Sequence, residues 1–377
     1  MNLRRLTAVA RKETLHVLRD PRSLMMGIGM PMLLLFLFGY ALTLDVDRVP
    51  VAVWDQAATA ASRELTSRFA GSRYFEVRRH AASYRDLEEA IDRREILMAL
   101  VIPAGFDRVM GKGGDTPVQA ILDGSDPTTA SIVLGYAEAV TASYSRDIGL
   151  RQMRLRGMAP RLPALELRPR AWFNTDMVSR NFIFPGLIAV VMMIMAAILT
   201  SLSLAREWET GTMEQLVATP VSGAELILGK LVPYFCIGVL DLLLCIGVGE
   251  YVFQVPLRGS FWLLMPLALL FLFSALAFGT LLSIIARNQL VASQLAIVTT
   301  VLPAFLLSGF IFPLENMPLP IQTVTRIISA RYFVVILRGI YLKDVGMEVL
   351  WPQALFLLLF AVIVLTAALR TFRKKIG

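Results

Sequence analysis

The chain has 377 residues, of which 56% are hydrophobic and only 18% are charged, and its formal net charge is +8. Because soluble globular domains carry about 25% charged residues, this composition excludes an ordinary soluble fold. The positive excess does not indicate a nucleic-acid partner, since it is confined to the two ends. Residues 1–22 hold six basic side chains against Glu13 and Asp20, and the tail 370–377 holds four basic side chains.

Residues 1–22 are predicted to form an amphipathic helix at the cytoplasmic surface of a membrane. Apolar residues recur near helical spacing across residues 2–19, with basic residues between them. The apolar positions are Leu3, Leu6, Ala10, Val17 and Leu18. Asp20 and Pro21 are expected to be the N-cap and the first helical position of the next helix. A simple basic tail is the alternative interpretation of this segment.

Six apolar stretches are long enough to cross a membrane as helices, namely Ser23–Leu44, Phe182–Leu204, Leu231–Phe253, Phe261–Ala286, Leu290–Phe312 and Trp351–Leu369. A crossing helix needs about 20 apolar residues, and inside the hydrocarbon core it must satisfy its own backbone polar groups. Residues 23–44 begin too late for a good signal peptide, so they are expected to remain as the first span, with spans two to six within 182–369. Basic residues at both ends predict cytoplasmic termini and a basic cytoplasmic tail, 370–377.

Between the first two predicted spans lies a polar insertion, residues 45–181, which the charge bias places outside the membrane. Predicted strands alternate with predicted helices along it, which is typical of an α/β domain. The strands are Val49–Trp54, Tyr74–Arg78, Ile96–Ile102 and Val118–Leu122, and the helices are Ala60–Phe69, Tyr84–Arg93 and one that Asp126 or Thr128 caps and that runs to about Arg156. Pro160, Pro163 and Pro169 mark the return to the membrane. The predicted fold is therefore an α-helical polytopic membrane protein with six transmembrane helices and an inserted α/β extracytoplasmic domain.

The cytoplasmic segment 205–230, called the elbow below, is predicted to form two short helices joined by a turn. Thr212 with Gln215, and Ser222 with Glu225, have the spacing of capping boxes. Pro220 breaks the chain between them, because the residue before a proline avoids helical backbone angles. A stiff hairpin at a membrane surface is expected to contact a partner, and a purely structural connector is the alternative.

The outer segment 313–350 is predicted to be a re-entrant or shallow hairpin and not a seventh span. It begins with three prolines, and a moderately apolar run, Ile321–Leu342, follows them. Arginines interrupt that run at positions 326, 331 and 338. Charges of this kind are costly at the centre of a bilayer.

No residue pattern indicates catalysis, a resident cofactor or a metal. Gly105–Lys112 and Gly223–Lys230 superficially resemble phosphate loops, but each has one residue too many between its glycines and lacks the following Ser or Thr. His16 and His80 are too few for a metal site. Asp241 lies midway along the predicted third span, where it either lines a substrate path or is a structural carboxylate facing a neighbouring helix.

Several motifs in family order resemble those of ABC-2 type transporter permeases, in the subgroup related to bacterial drug efflux. The most specific is Arg206-Glu207-Trp208-Glu209-Thr210-Gly211-Thr212-Met213-Glu214-Gln215-Leu216, followed by Thr219-Pro220 and Gly229-Lys230. Weaker similarities are Trp172-Phe173-Asn174, Ser308-Gly309-Phe310-Ile311-Phe312-Pro313 and Arg331-Tyr332-Phe333. Ala330-Arg331 stands where many relatives have a proline.

The resemblance implies a permease dimer, homomeric or paralogous, that works with separate ATPase subunits and in some systems with a periplasmic adaptor. ATP and Mg²⁺ are then bound by the ATPase, and the substrate is a drug-like or lipophilic compound. The residues that the resemblance assigns to ATPase coupling are Arg206, Glu207, Gly211, Thr212, Glu214, Leu216, Pro220, Gly229 and Lys230. Two alternatives are an ion-gradient-driven transporter in which Asp241 carries the proton, and a membrane-anchored ligand sensor.

Overall fold

The computed structural model describes residues 2–41, 48–111, 116–155, 172–174 and 178–372. They divide into two compact units, one within Leu44–Pro169 and the other within Met1–Thr43 and Arg170–Gly377. The predicted return at Pro160, Pro163 and Pro169, and most of the basic tail, lie outside the described residues.

The N-terminal segment forms helix α1 (Leu3–Arg19), whose first turn the side chain of Asn2 caps. The predicted helix is confirmed, but its predicted apolar face is partly wrong. Leu3 and Leu18 are 72% and 61% exposed, whereas the buried side chains are Val9, Glu13 and Val17. These three follow one another at intervals of four residues and so share one side of the helix.

The next helix begins at Pro21, as predicted, and changes its geometry along its length. It consists of α2 (Pro21–Leu24), one π-helical turn (Met25–Gly29) and α3 (Met30–Ala41). A π turn inserts an extra residue into the helical repeat and often marks a functional position. Within the described residues, Met25–Ala41 is an apolar helix shorter than the length needed to count as a membrane span.

The unit within Leu44–Pro169 contains a four-stranded sheet with strand order β2–β1–β3–β4. Its elements are β1 (Val49–Asp55), α4 (Ala60–Ala70), β2 (Phe75–His80), α5 (Tyr84–Asp92), β3 (Met98–Ile102), α6 (Phe106–Gly111), β4 (Gln119–Leu122) and α7 (Pro127–Leu155). β1 pairs in parallel with β2 and β3, and β4 pairs antiparallel to β3. The strands and helices predicted between Val49 and Leu155 are confirmed to within a few residues.

Both faces of this sheet are covered because its central strands are apolar on both sides. Val49, Val51 and Val53 pack with side chains of α4, α6 and α7. Ala52 and Ala99 face the opposite side and pack with α5. The register of β1 against β2 shifts after Val51, so that Arg78 is an extra residue in the edge strand β2.

The rest of the chain is helical within the described residues. Its helices are α8 (Ser179–Glu209), α9 (Thr212–Ala218), α10 (Gly223–Tyr251), α11 (Phe261–Ala286), α12 (Gln289–Ala296), α13 (Leu302–Leu306), α14 (Leu319–Thr325), α15 (Ser329–Lys343) and α16 (Met347–Thr371). A second π turn, Ile297–Val301, joins α12 to α13. Five of these segments are long and apolar enough to cross a membrane, namely α8, α10, α11, Gln289–Leu306 and α16. The protein is therefore a polytopic helical protein.

The core of this unit surrounds α8 and α11. α11 packs against both α8 and α16, and the ring of Phe271 in α11 stacks on Phe333 of α15 at 4.1 Å between centroids. Arg338 of α15 reaches the loop that follows α13, where it donates to the carbonyl oxygens of Gly309 at 2.9 Å and Phe310 at 3.0 Å. α15, at 15 residues, is shorter than the spans, in keeping with the predicted hairpin.

Candidate functional site

The first bend of the elbow is made by Gly211, which joins α8 to α9. Its φ of 73° lies in the left-handed region, which glycine adopts without the steric cost that a Cβ imposes. The predicted capping box of Thr212 with Gln215 is wrong, because Gly211 is the N-cap and no side chain caps α9. The Thr212 hydroxyl instead donates to the carboxylate of Glu207, one turn back in α8. A local sequence pattern was thus overridden by a partner across the bend.

The second bend agrees with the predicted capping box. Thr219 is extended before Pro220, and Ser222 is the N-cap of α10. The Ser222 hydroxyl accepts from the Glu225 amide at 3.3 Å, and the Glu225 carboxylate accepts from the Ser222 amide at 2.8 Å. The other oxygen of Glu225 accepts from the backbone amide of Asn2 at 2.5 Å. The cap of α10 therefore also holds the start of α1.

A buried ionic cluster, consisting of Glu13, Glu207 and Lys230, joins α1, α8 and α10. The Lys230 ammonium lies 2.9 Å from a Glu13 oxygen and 3.1 Å from a Glu207 oxygen. The side chains of Lys230 and Glu13 are only 5% and 4% exposed. The Tyr234 hydroxyl donates to Glu13 at 3.0 Å, and the exposed Lys12 donates to Glu207 at 3.1 Å. Buried charges need this degree of pairing, because an unpaired one carries a large desolvation cost.

Arg206 extends the polar contacts of the elbow toward the start of α2. Its guanidinium lies 3.3 Å from the Asp20 carboxylate and 3.2 Å from the His16 ring. Next to it, the carboxylate of Glu209 accepts from the amide and the side chain of Gln289 at 3.1 and 3.0 Å. The end of α8 is thereby connected to both α1 and α12.

Gly229 explains how α1 can lie so close to α10. A Cβ placed on Gly229 would stand 2.9 Å from Val9 side-chain atoms and 3.1 Å from the Leu6 carbonyl oxygen. Real Cβ atoms do not approach neighbouring carbons so closely. Gly229 therefore lets α1 approach α10 closely. The charge of the next residue, Lys230, is neutralised by Glu13 of α1.

The predicted coupling residues separate into two groups in the structure. Arg206, Glu207 and Lys230 point into contacts with α1 or with Asp20 at its end, whereas Glu214 is exposed on the elbow. Pro220 is also exposed, but its carbonyl oxygen accepts from Arg5 of α1 at 2.6 Å. Leu216 is half-buried and packs against the main core. Glu214 takes part in none of the ion pairs between described residues. The elbow thus has an inner side fixed to α1 and an outer side that presents a free negative charge.

Asp241 lies apart from this constellation. It is seven residues beyond Tyr234 in α10, about two helical turns away, and is 4% exposed. No group of three or more His, Cys, Asp or Glu in the described part of the chain is arranged to hold a metal ion.

Sequence reasoning missed Glu13, and it gave no role to Tyr234, whose hydroxyl donates to Glu13. The usable signal was Glu13 itself, an acidic residue between Val9 and Val17 on the apolar side of a basic helix. Its partner Lys230 is 217 residues away, so no local pattern predicts the pair.

Comparison with known proteins agrees with this architecture. Residues 21–370 match the family described as ABC-2 family transporter protein. The probable multidrug ABC transporter permease YbhS of Escherichia coli (strain K12) is 38% identical over 363 residues, which cover 96% of this chain and 95% of YbhS. YbhR of the same strain, with the same description, is 32% identical over 372 residues, 99% of each chain. The inner membrane transport permease YhhJ is 26% identical over 339 residues, 88% of this chain and 87% of YhhJ. This chain therefore belongs to the ABC-2 family of transporter proteins.

Proposed function

We propose that this chain, the membrane-spanning permease of an ATP-binding cassette exporter, moves a drug-like or lipophilic compound outward with ATP hydrolysed by a separate subunit. The names of YbhS and YbhR as multidrug permeases support the substrate class. Family membership favours this function over an ion-gradient-driven transporter or a ligand sensor. A second permease copy, identical or paralogous, completes the membrane part, and a periplasmic adaptor is a further candidate partner.

The observation that carries the coupling mechanism is the buried ionic cluster. It fixes α1 to the ends of α8 and α10 through Glu13, Glu207 and Lys230. A force applied to the outer side of the elbow therefore reaches two predicted spans at once, since neither α1 nor the elbow can move alone without separating buried charges. We assign Glu214 and the neighbouring exposed positions of α9 to ATPase contact, and the inner residues to transmission.

The proposed topology has six spans. The first of them, residues 23–44, includes most of the helix Pro21–Ala41. Both termini lie in the cytoplasm, and residues 45–181 form an α/β domain on the outer side of the inner membrane. Support comes from the basic residues beside the first and last apolar helices.

Labelling from outside the cell tests this orientation. Ser125→Cys and Thr371→Cys, each in a chain whose Cys236 and Cys245 have been replaced, are expected to differ in reaction with a membrane-impermeant maleimide. Ser125 is exposed in the outer unit and should react in intact cells, whereas Thr371 at the end of α16 should react only after the membrane is opened. Reaction of the Thr371 variant alone in intact cells would reverse the orientation.

A second experiment tests whether ATP is hydrolysed by a separate subunit and not by this chain. The purified chain is expected to show no ATP hydrolysis, because neither glycine–lysine segment has the spacing of a phosphate loop. Hydrolysis should appear when the partner ATPase subunit is added, and should disappear when the phosphate-loop lysine of that ATPase is replaced. ATPase activity that remains with the permease after this replacement contradicts the proposal.

A further inference from the structure

The carboxylate of Asp241 is buried without a partner inside α10. The residue is 4% exposed, and its Oδ1 atom has no hydrogen-bond partner among the described residues. A buried, unpaired carboxylate is costly in an apolar surrounding, and in a membrane helix such a group is the first place to look for a ligand. The described residues place no cation in an ion pair with Asp241, so a bound ligand would have to supply the counter-charge.

The walls around Asp241 are apolar and adaptable. A small cavity of about 10 Å³ lies beside it, bordered by Met192, Met195, Leu272 and Leu276. That space holds at most about one water molecule, so the cavity is closed to a larger ligand in this conformation. Methionine and leucine side chains can change rotamer at small cost, and methionine in particular suits surfaces that accept varied apolar shapes.

A second cavity, beside the ionic cluster, shares part of its wall with the first. It has a volume of about 500 Å³, and the carboxylates of Glu13, Asp20 and Glu207 line it together with the cations of Arg206 and Lys230 that pair with them. Leu199 and Tyr234 border both cavities and so lie between the larger space and the smaller one. Tyr234 and Asp241 are seven residues apart and face the same side of α10. The larger space thus extends from the elbow to the wall that it shares with the cavity beside Asp241.

We propose that Asp241 forms the charge-pairing group of a binding site for lipophilic cations, which reach it from the 500 Å³ cavity past Leu199 and Tyr234. The apolar body of such a ligand displaces the methionine and leucine side chains, and its positive charge neutralises the carboxylate. An ion pair in this low-dielectric setting is far stronger than in water. The inference rests on the proposed export function, to which it adds the substrate class.

The test compares two probes of matched size and opposite charge on the purified full-length chain in detergent. Tetraphenylphosphonium is expected to bind the native chain more tightly than tetraphenylborate. Asp241→Asn, which keeps the shape of the side chain, should weaken tetraphenylphosphonium binding at least about tenfold and should not weaken tetraphenylborate binding. Glu250→Gln, an exposed carboxylate on the same helix, is the matched control and should bind both probes like the native chain. Equal tetraphenylphosphonium affinity of Asp241→Asn and the native chain overturns the proposal.

A second variant tests the route independently of the charge. Leu199→Trp fills the boundary between the two cavities and is expected to slow tetraphenylphosphonium association several-fold. An unchanged association rate overturns the proposed route. ATPase co-purification is measured on the same preparations. If the ATPase binds all variants and the probes do not distinguish Asp241→Asn, the cation site alone is wrong. If no ATPase binds even the native chain, the export function fails, whatever the probes show.

Discussion

Lys230→Met is expected to lower the free energy of unfolding by about 3–5 kcal/mol and to abolish export. The substitution removes the cation that contacts both Glu13 and Glu207, and so leaves a carboxylate buried without its counter-charge. Breaking a buried pair in this way typically costs that much, because the remaining charge keeps its desolvation penalty. Denaturation of the purified protein and a transport assay at matched membrane levels measure the two effects.

Lys12→Met is the matched control for this prediction. Lys12 contacts the same Glu207 oxygen at the same distance of 3.1 Å, but its side chain is 55% exposed. An exposed pair contributes less than about 1 kcal/mol, so this variant should remain stable and active. Adding Glu13→Gln to Lys230→Met removes the unpaired carboxylate while keeping an acceptor for Tyr234, and should recover part of the lost stability. Equal free energies of unfolding for Lys230→Met and Lys12→Met would show that the buried ionic cluster does not stabilise the fold.

Glu214→Lys is expected to abolish ATPase docking and export while the protein remains folded in the membrane. Glu214 is exposed, so the change should cost little stability, but it reverses the charge that the elbow offers to a partner. Co-purification of the ATPase, beside the amount of permease in the membrane, measures docking. Glu315→Lys, an exposed charge reversal in the outer hairpin, should leave docking unchanged. Normal docking and export by Glu214→Lys would make the elbow a passive connector.

Substitutions at Gly211 test whether ATPase docking depends on the bend between α8 and α9. Gly211→Val with Thr212→Ala places a β-branched residue at a φ of 73° and removes the hydroxyl bonded to Glu207, so the bend should be lost and docking with it. Gly211→Asn is the informative comparison, because asparagine tolerates the left-handed region. We expect it to retain most of the docking.

Much of the fold was predictable where interactions between residues close in the sequence determine the secondary structure. Long apolar runs predicted six helices of membrane-spanning length, and five have that length among the described residues, whereas the first stretch contains the shorter helix Met25–Ala41. Alternating short patterns predicted the strands and helices between Val49 and Leu155 except α6. Ser222 with Glu225 formed the expected capping box because both partners lie within one helical turn. The elbow was therefore correctly divided into two helices, α9 and the start of α10.

The contacts that give the elbow its rigidity were not predictable in the same way. Glu13 pairs with a lysine 217 residues away, and this depends on Gly229 admitting α1 against α10. Thr212 was assigned to a cap because its spacing to Gln215 fitted, yet Gly211 is the N-cap of α9 and the Thr212 hydroxyl donates to the Glu207 carboxylate across the bend. Helical periodicity also placed Leu3 and Leu18 on the apolar face of α1, although both are exposed. Periodicity cannot show which side of a helix contacts another helix.

The two outer strands of the sheet have a consequence for how the protein behaves when its copies are crowded. An edge strand with free backbone groups can pair with the edge of another molecule and start aggregation. β2 opposes this with consecutive exposed Arg78, Arg79 and His80 and with the extra residue that shifts its register, and β4 is only four residues long. Sheets of neighbouring molecules are thereby kept from merging at high local concentration.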